Sequence, residues 1–152
     1  MSKHEALIFW ERKNQNFVDN KYSRAHQWEF DGVKVPASSS PSVLPVPLSS
    51  VEAIDPEEAL VAATSSCHML FFLSIAAKRG FTIDLYSDQA YGEMGKNSEG
   101  KTLMSKITLR PKIEFSGIKQ PSAAEIAEVH HLAHEQCFIS NSLKAVVLIE
   151  PS

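Results

Sequence analysis

The order of elements in this sequence predicts an α+β fold in a single domain spanning residues 1–152, and three observations carry that prediction. Aromatic-rich, strand-like runs open the chain. Two helix-like segments then follow, each with a recognisable start signal, and strand-like segments lie between and after them. The result is a β-rich N-terminal region, 1–54, and a region with two helices, 55–152.

The runs "ALIFWE" and "YSRAHQWEF" read as strands, with "FDG" as a hairpin turn. Residues 36–50, "PASSSPSVLPVPLSS", hold four prolines, which exclude both a helix interior and a central strand. This is a loop long enough to serve as a lid or a partner-wrapping arm. Asp55, Pro56 and the acids that follow make a helix start, because Asp caps, Pro suits the first helical position and acids favour the positive dipole end. The helix is expected to run to about Arg79, with Gly80 as its stop, and to be buried, since it is apolar nearly all round.

A hairpin is expected next, with arms "FTIDLYSDQAYGEM" and "LMSKITLRPKIEFSG" around "GKNSEGK". In the second arm Leu103, Ile107, Leu109, Ile113 and Phe115 keep a period of two over thirteen residues, with Pro111 marking an edge or bulge. Pro121, Ser122 and Glu125 open a second helix with a capping box. Its stripe of Ile126, Val129, Ala133 and Cys137 ends at the cysteine, "SNS" breaks the helix, and "LKAVVLIE" closes as a strand.

A net charge of −3 and a pI near 6.1 point away from nucleic acid and acidic membranes as partners. The start "MSKHEALIF" lacks the pattern of a secretory signal, so a cytoplasmic location is expected. Residues 59–77 carry no charge, but Thr64, Ser65, Ser66, His68 and Ser74 dilute them, which favours a core helix over a membrane span.

In a reducing cytosol two cysteines favour catalysis, redox chemistry or metal binding over a structural staple. Cys67 lies on the first helix and Cys137 on the second, and packed helices can bring facing thiols within bonding range. A lone cysteine on an apolar stripe is ordinarily packing material; a matched pair shifts that balance. Thiol chemistry needs a thiolate, and Cys67 stands too far from the helix start for the dipole to help. His68 points about 100° away from it on a helix and is a poor base. A cation from elsewhere is needed, and residues 10–35 offer Arg12 and Arg24.

Two competing constellations exist. His130, His134 and Cys137 share a helical face with metal-ligating spacing, but no zinc-protease pattern closes there, and solvated histidines on a helix flank are expected instead. Ser65 and Ser66 beside His68 lack the glycine elbow of a serine nucleophile.

The stretches "DPEEALVAATSSCHMLFFL" and "AHEQCFISNSLKAVVLIEP", with the hairpin between them, resemble the OsmC/Ohr family of thiol-dependent hydroperoxide reductases. The shared pattern is Pro-Glu at 56–57, a cysteine ten residues after that glutamate, and a second cysteine before Ile-Ser-Asn. The segment "YSRAHQWEFDG…VPASSSP" is similar to a branch whose members carry Cys-His at this point. The resemblance implies an intertwined homodimer with two central buried helices per subunit packed on β-sheets. It implies Cys67 as the peroxidatic cysteine, Cys137 as the resolving one, and Glu57 as the carboxylate that orients an arginine beside the thiolate. The substrate would be an organic hydroperoxide and the reductant an external dithiol, such as a dihydrolipoyl protein, with no metal and no bound cofactor. One departure stands out: residues 36–54 contain no arginine or lysine, so Arg24, with Arg12 behind it, is the candidate cation, and neither matches the family position. A non-catalytic redox-sensing or apolar-ligand module is the alternative from another class.

Overall fold

The aromatic-rich start of the chain folds as an antiparallel sheet in the order β1 (Leu7–Phe9), β2 (His26–Phe30), β3 (Val33–Ala37). The β2–β3 turn falls at Asp31–Gly32, where Gly32 has φ +75, a left-handed conformation that glycine adopts without a Cβ clash. Pro36 lies on β3, an edge strand, where its missing N–H leaves no gap in a ladder. This computed structural model describes all of residues 1–152, which divide into two compact units, Met1–Ala59 and Leu60–Ser152.

Within the first unit the Pro/Ser loop is pinned at both ends. The Ser38 N–H donates to the Ile54 carbonyl at 3.0 Å, the Ile54 N–H donates to the Pro36 carbonyl at 3.0 Å, and the Ser50 N–H donates to Ser38 Oγ at 3.0 Å. The unit closes on the first turn of helix α1 (Pro56–Lys78). The Asp55 carboxylate accepts from the Glu58 N–H at 2.8 Å, and Glu58 accepts from the Asp55 N–H at 2.9 Å. That reciprocal cap satisfies two orphan donors.

In the second unit α1 ends as the sequence predicts. Gly80 takes φ +81, the Phe81 N–H reaches the Ala76 carbonyl at 3.0 Å and the Gly80 N–H reaches Ala77 at 3.0 Å, a Schellman stop. The expectation that α1 is buried all round needs correction. Within this chain one stripe is buried, Thr64, His68, Phe72 and Ala76, while Leu70 on the far side is 59% exposed. One chain covers one side of a helix that is apolar on every side.

The expected hairpin also divides. Its arms become β4 (Thr82–Asp88) and β5 (Tyr91–Lys96), then β6 (Thr102–Leu109) and β7 (Pro111–Ser116). Strands β5 and β6 pair antiparallel, whereas β4 and β7 form a separate two-stranded sheet. The break falls at Arg110, whose N–H donates to Asp88 Oδ1 at 2.6 Å instead of to a ladder, and Pro111 has no N–H to give. Helix α2 (Ala123–Gln136) opens with the Ser122–Glu125 capping box. The segment "SNS" does not simply break it: a second helical turn, α3 (Phe138–Asn141), follows at once, with Cys137 as its N-cap. Strand β8 (Val146–Ile149) then pairs parallel to β6. Phe72, Ala76 and Phe81 meet Val129 and Ala133 of α2 in the core, with Ile83, Tyr86, Ile113 and Phe115 of the β4–β7 sheet against them.

Gly92 of β5 sets how closely that strand approaches α1. A Cβ there would lie 2.2 Å from Met104 Sδ and 2.8 Å from Val61 Cγ2. Met104 can swing aside, but Val61 is fixed by the helix. Gly92→Val is therefore expected to lower stability by about 1–3 kcal/mol, read as a reduced urea midpoint. An unchanged midpoint would show that the strand can retreat.

Candidate functional site

Cys67 stands at mid-length on α1, beside the buried stripe, and remains partly exposed. Cys137 is fully buried at the joint of α2 and α3. The helix-to-helix turn at Cys137 brings the two thiols near each other: Cys137 is close enough to raise the Cys67 pKa, and both are free. The first amides of α3 also converge on the sulfurs. Ser140 N–H donates to Cys137 Sγ at 3.4 Å, and the Ile139 and Phe138 amides lie close enough to Cys67 to pull its pKa down. Phe138 packs edge-on against Phe71 of α1 at 5.1 Å, which holds the turn on the helix.

Burial pushes the Cys67 thiol above its ordinary pKa; the Ile139 N–H pulls it down, the Cys137 thiol pushes it up again, and the Phe138 N–H pulls it down. The net effect is upward, because no cation contributes. The two amides stabilise a thiolate in the way an oxyanion is stabilised, but they do not outweigh desolvation.

The three other residues singled out from the sequence, Glu57, Arg24 and Arg12, lie in the first unit and are not paired with one another. Glu57 Oε2 is buried with no hydrogen-bond partner. The Arg24 guanidinium lies over the Tyr22 ring at 3.6 Å, and donates to the Asn20 and Tyr22 carbonyls and to Asn20 Oδ1. Arg12 donates to the Gln15 carbonyl at 3.0 Å. None of the three joins an ion pair.

The histidines depart most from expectation. His130 is not solvated on a helix flank: it is 4% exposed, because it lies within the Ile126–Ala133 stripe, four residues after one and three before the other. Its Nδ1 meets Nε2 of His68 at 3.0 Å, and His68 is fully buried. The ring planes lie within 10° of parallel, yet the centroids are 5.3 Å apart, so the rings meet edge to edge and are not stacked. His68 thus faces α2, away from the thiols, as the helical geometry predicts. The His130, His134, Cys137 spacing forms no metal centre: no group of three or more His, Cys, Asp or Glu residues is placed to hold an ion. Ser65 Oγ donates to Asp88 Oδ2, not to a base. The His68–His130 contact joins residues 62 positions apart, and its local signal was two histidines falling on buried stripes.

Burial lowers the His68 pKa to about 4, helped by the neighbouring His130 and His134, and burial lowers His130 to about 4 against a weaker upward pull from Asp88. An unfolded histidine titrates near 6.5. Between those values the unfolded chain binds more protons, so stability falls as pH drops from about 6.5 to about 4, by about 3 kcal/mol for one such group. Urea midpoints measured from about pH 7 down to pH 4 should show this loss, and replacing both His68 and His130 with Phe should flatten that part of the slope. The same slope in the double variant would contradict it.

No curated protein sequence matches the chain. Among solved structures, an OsmC-like protein of unknown function from Vibrio cholerae is 55% identical, with each chain covered completely and a TM-score of 0.98. The organic hydroperoxide resistance protein OhrB of Bacillus subtilis is 15% identical over 99% of this chain and 98% of its own, at a TM-score of 0.68. An organic hydroperoxide resistance protein from Elizabethkingia anophelis is 12% identical over 99% of this chain and 94% of its own, at a TM-score of 0.70. At these lower identities the likeness is one of fold. The family model described as OsmC-like protein matches residues 49–152, which contain both thiols, the amides that point at them and the capped helices that carry them. The chain belongs to the OsmC-like family.

Proposed function

We propose that this protein is a cysteine peroxidase that reduces organic hydroperoxides to alcohols. The observation that carries the proposal is the thiol pair itself, with a partly exposed Cys67 close to a fully buried Cys137. The Cys67 thiolate attacks the distal peroxide oxygen, the O–O bond breaks, and the alkoxide leaves as an alcohol after taking a proton. Cys67 becomes a sulfenic acid. The Cys137 sulfur then displaces the hydroxyl as water to form a disulfide, which an external dithiol, of the dihydrolipoyl class, reduces by exchange. The resolving sulfur sits in a protected position, and an apolar peroxide suits the surroundings, where Phe71 and Phe138 pack at the thiol-bearing turn.

This reaction needs a thiolate, which the burial of Cys67 opposes. We assign the missing cation to an arginine oriented by Glu57, whose buried oxygen lacks a partner. Arg24 is the first candidate and Arg12 the second. We further propose that the working unit is a homodimer in the cytoplasm, since a second copy would cover the exposed apolar side of α1.

One observation favours a second reading, a redox-sensing or apolar-ligand module without turnover: the Cys67 thiol lies above its ordinary pKa. The two readings separate in a coupled assay. With cumene hydroperoxide and a dithiol, the wild type should turn over and Cys67→Ser should abolish consumption. Cys137→Ser should complete one turnover and accumulate sulfinic or sulfonic acid at Cys67 by mass spectrometry. Arg24→Ala should lower the rate more than Arg12→Ala does. Full activity in Cys67→Ser would end the peroxidase reading, and a wild type that forms the disulfide without turnover would favour the module.

A further inference from the structure

The buried histidine pair has no role in the chemistry above, yet it stands where that chemistry is most sensitive. His68 is the residue after Cys67 on α1, and His130 lies seven residues, about two turns, before Cys137 on α2. We propose that the His68–His130 hydrogen bond is the clamp that holds Cys67 and Cys137 in register, which makes both histidines positioning residues for disulfide formation. This rests on the reading of the two cysteines as a redox pair.

Apart from the exposed Arg79–Glu128 ion pair beyond the end of α1, no other side-chain hydrogen bond or ion pair links these two helices. Everything else between them is apolar: Phe72 packs on the His130 ring at 4.4 Å, and Ala76, Val129 and Ala133 fill the interior. Apolar packing is non-directional and tolerates small slides, whereas a hydrogen bond between two rings at 3.0 Å does not. The bond is also hard to exchange. His68 Nδ1 and His130 Nε2 are both buried without partners, so the rings have only each other, and separating them strands further polar atoms away from water. A disulfide, in turn, tolerates only a narrow range, with Cβ atoms about 3.5–4.5 Å apart. A tie one residue from Cys67 therefore decides whether the sulfurs meet in a bonding geometry, without touching either of them.

The test uses diamide, which oxidises paired thiols without a peroxide. Both S–H bonds break, the S–S bond forms, and the two hydrogens with two electrons end on the diazene nitrogens as a hydrazine. The rate of Cys67–Cys137 disulfide formation is read by mass spectrometry after alkylation of the remaining thiols. Alkylation of Cys67 by iodoacetamide alone reports its own reactivity, and circular dichroism reports folding. His68→Gln places an amide near the lost Nε2 and His130→Asn places one near the lost Nδ1, so both should keep rates close to wild type. His68→Phe and His130→Phe should slow disulfide formation about tenfold or more, as misplacement of reacting atoms does, with alkylation of Cys67 little changed. Where a Phe variant does not fold, His68→Asn replaces it, since it is polar and small but too short to reach His130. Wild-type disulfide rates in folded His68→Phe, or equal rates in His68→Asn and His68→Gln, overturn the clamp. A wild type that forms no intrachain disulfide removes the paired-thiol reading and the clamp with it, while loss of peroxide turnover alone leaves the diamide result standing.

Discussion

Helix α1 is apolar nearly all round, and within the chain one stripe of it is fully buried. The buried stripe of Thr64, His68, Phe72 and Ala76 takes the contact with α2 and the β4–β7 sheet, and most of what the second unit does follows from that choice. Cys67 falls at the margin of the stripe, near Cys137 at the end of α2 and partly open to solvent. The helix caps fix where the stripe begins and ends along the chain. Gly92 sets how near the β5 strand can come to α1.

The same burial that places the thiols works against their reactivity. Desolvation raises the Cys67 thiol, and the neighbouring Cys137 adds to the effect, while the α3 amides only partly oppose it. Inside one unit the fold puts a buried second sulfur, Cys137, near the partly exposed Cys67. No cation offsets that rise at Cys67, and in the first unit the Glu57 oxygen is buried without a hydrogen-bond partner.

What could be read from the sequence were the features set by neighbours in the chain. The Ser122–Glu125 box, the Asp55–Pro56 start and the Gly80 stop all depend on residues within a few positions, and the structure forms each of them. The thiol-bearing segments were legible because their motif is local too. Long-range bonds decided the rest. Pro111 signalled an interruption between Leu103 and Phe115, but that the strand divides there into two sheets depends on a carboxylate 22 residues away that captures the Arg110 amide. His130 matched the buried stripe in spacing, but its polar type suggested solvent, and only a second histidine 62 residues away makes its burial tolerable. The turn α3 was hidden because four residues carry too little periodicity to register.

A direct measurement of the central claim is a single-turnover reaction of the reduced protein with one equivalent of cumene hydroperoxide and no reductant, followed by peptide mapping. A functioning thiol pair yields one equivalent of the alcohol together with a peptide linked through Cys67 and Cys137. Intact hydroperoxide with both cysteines still open to alkylation would contradict it.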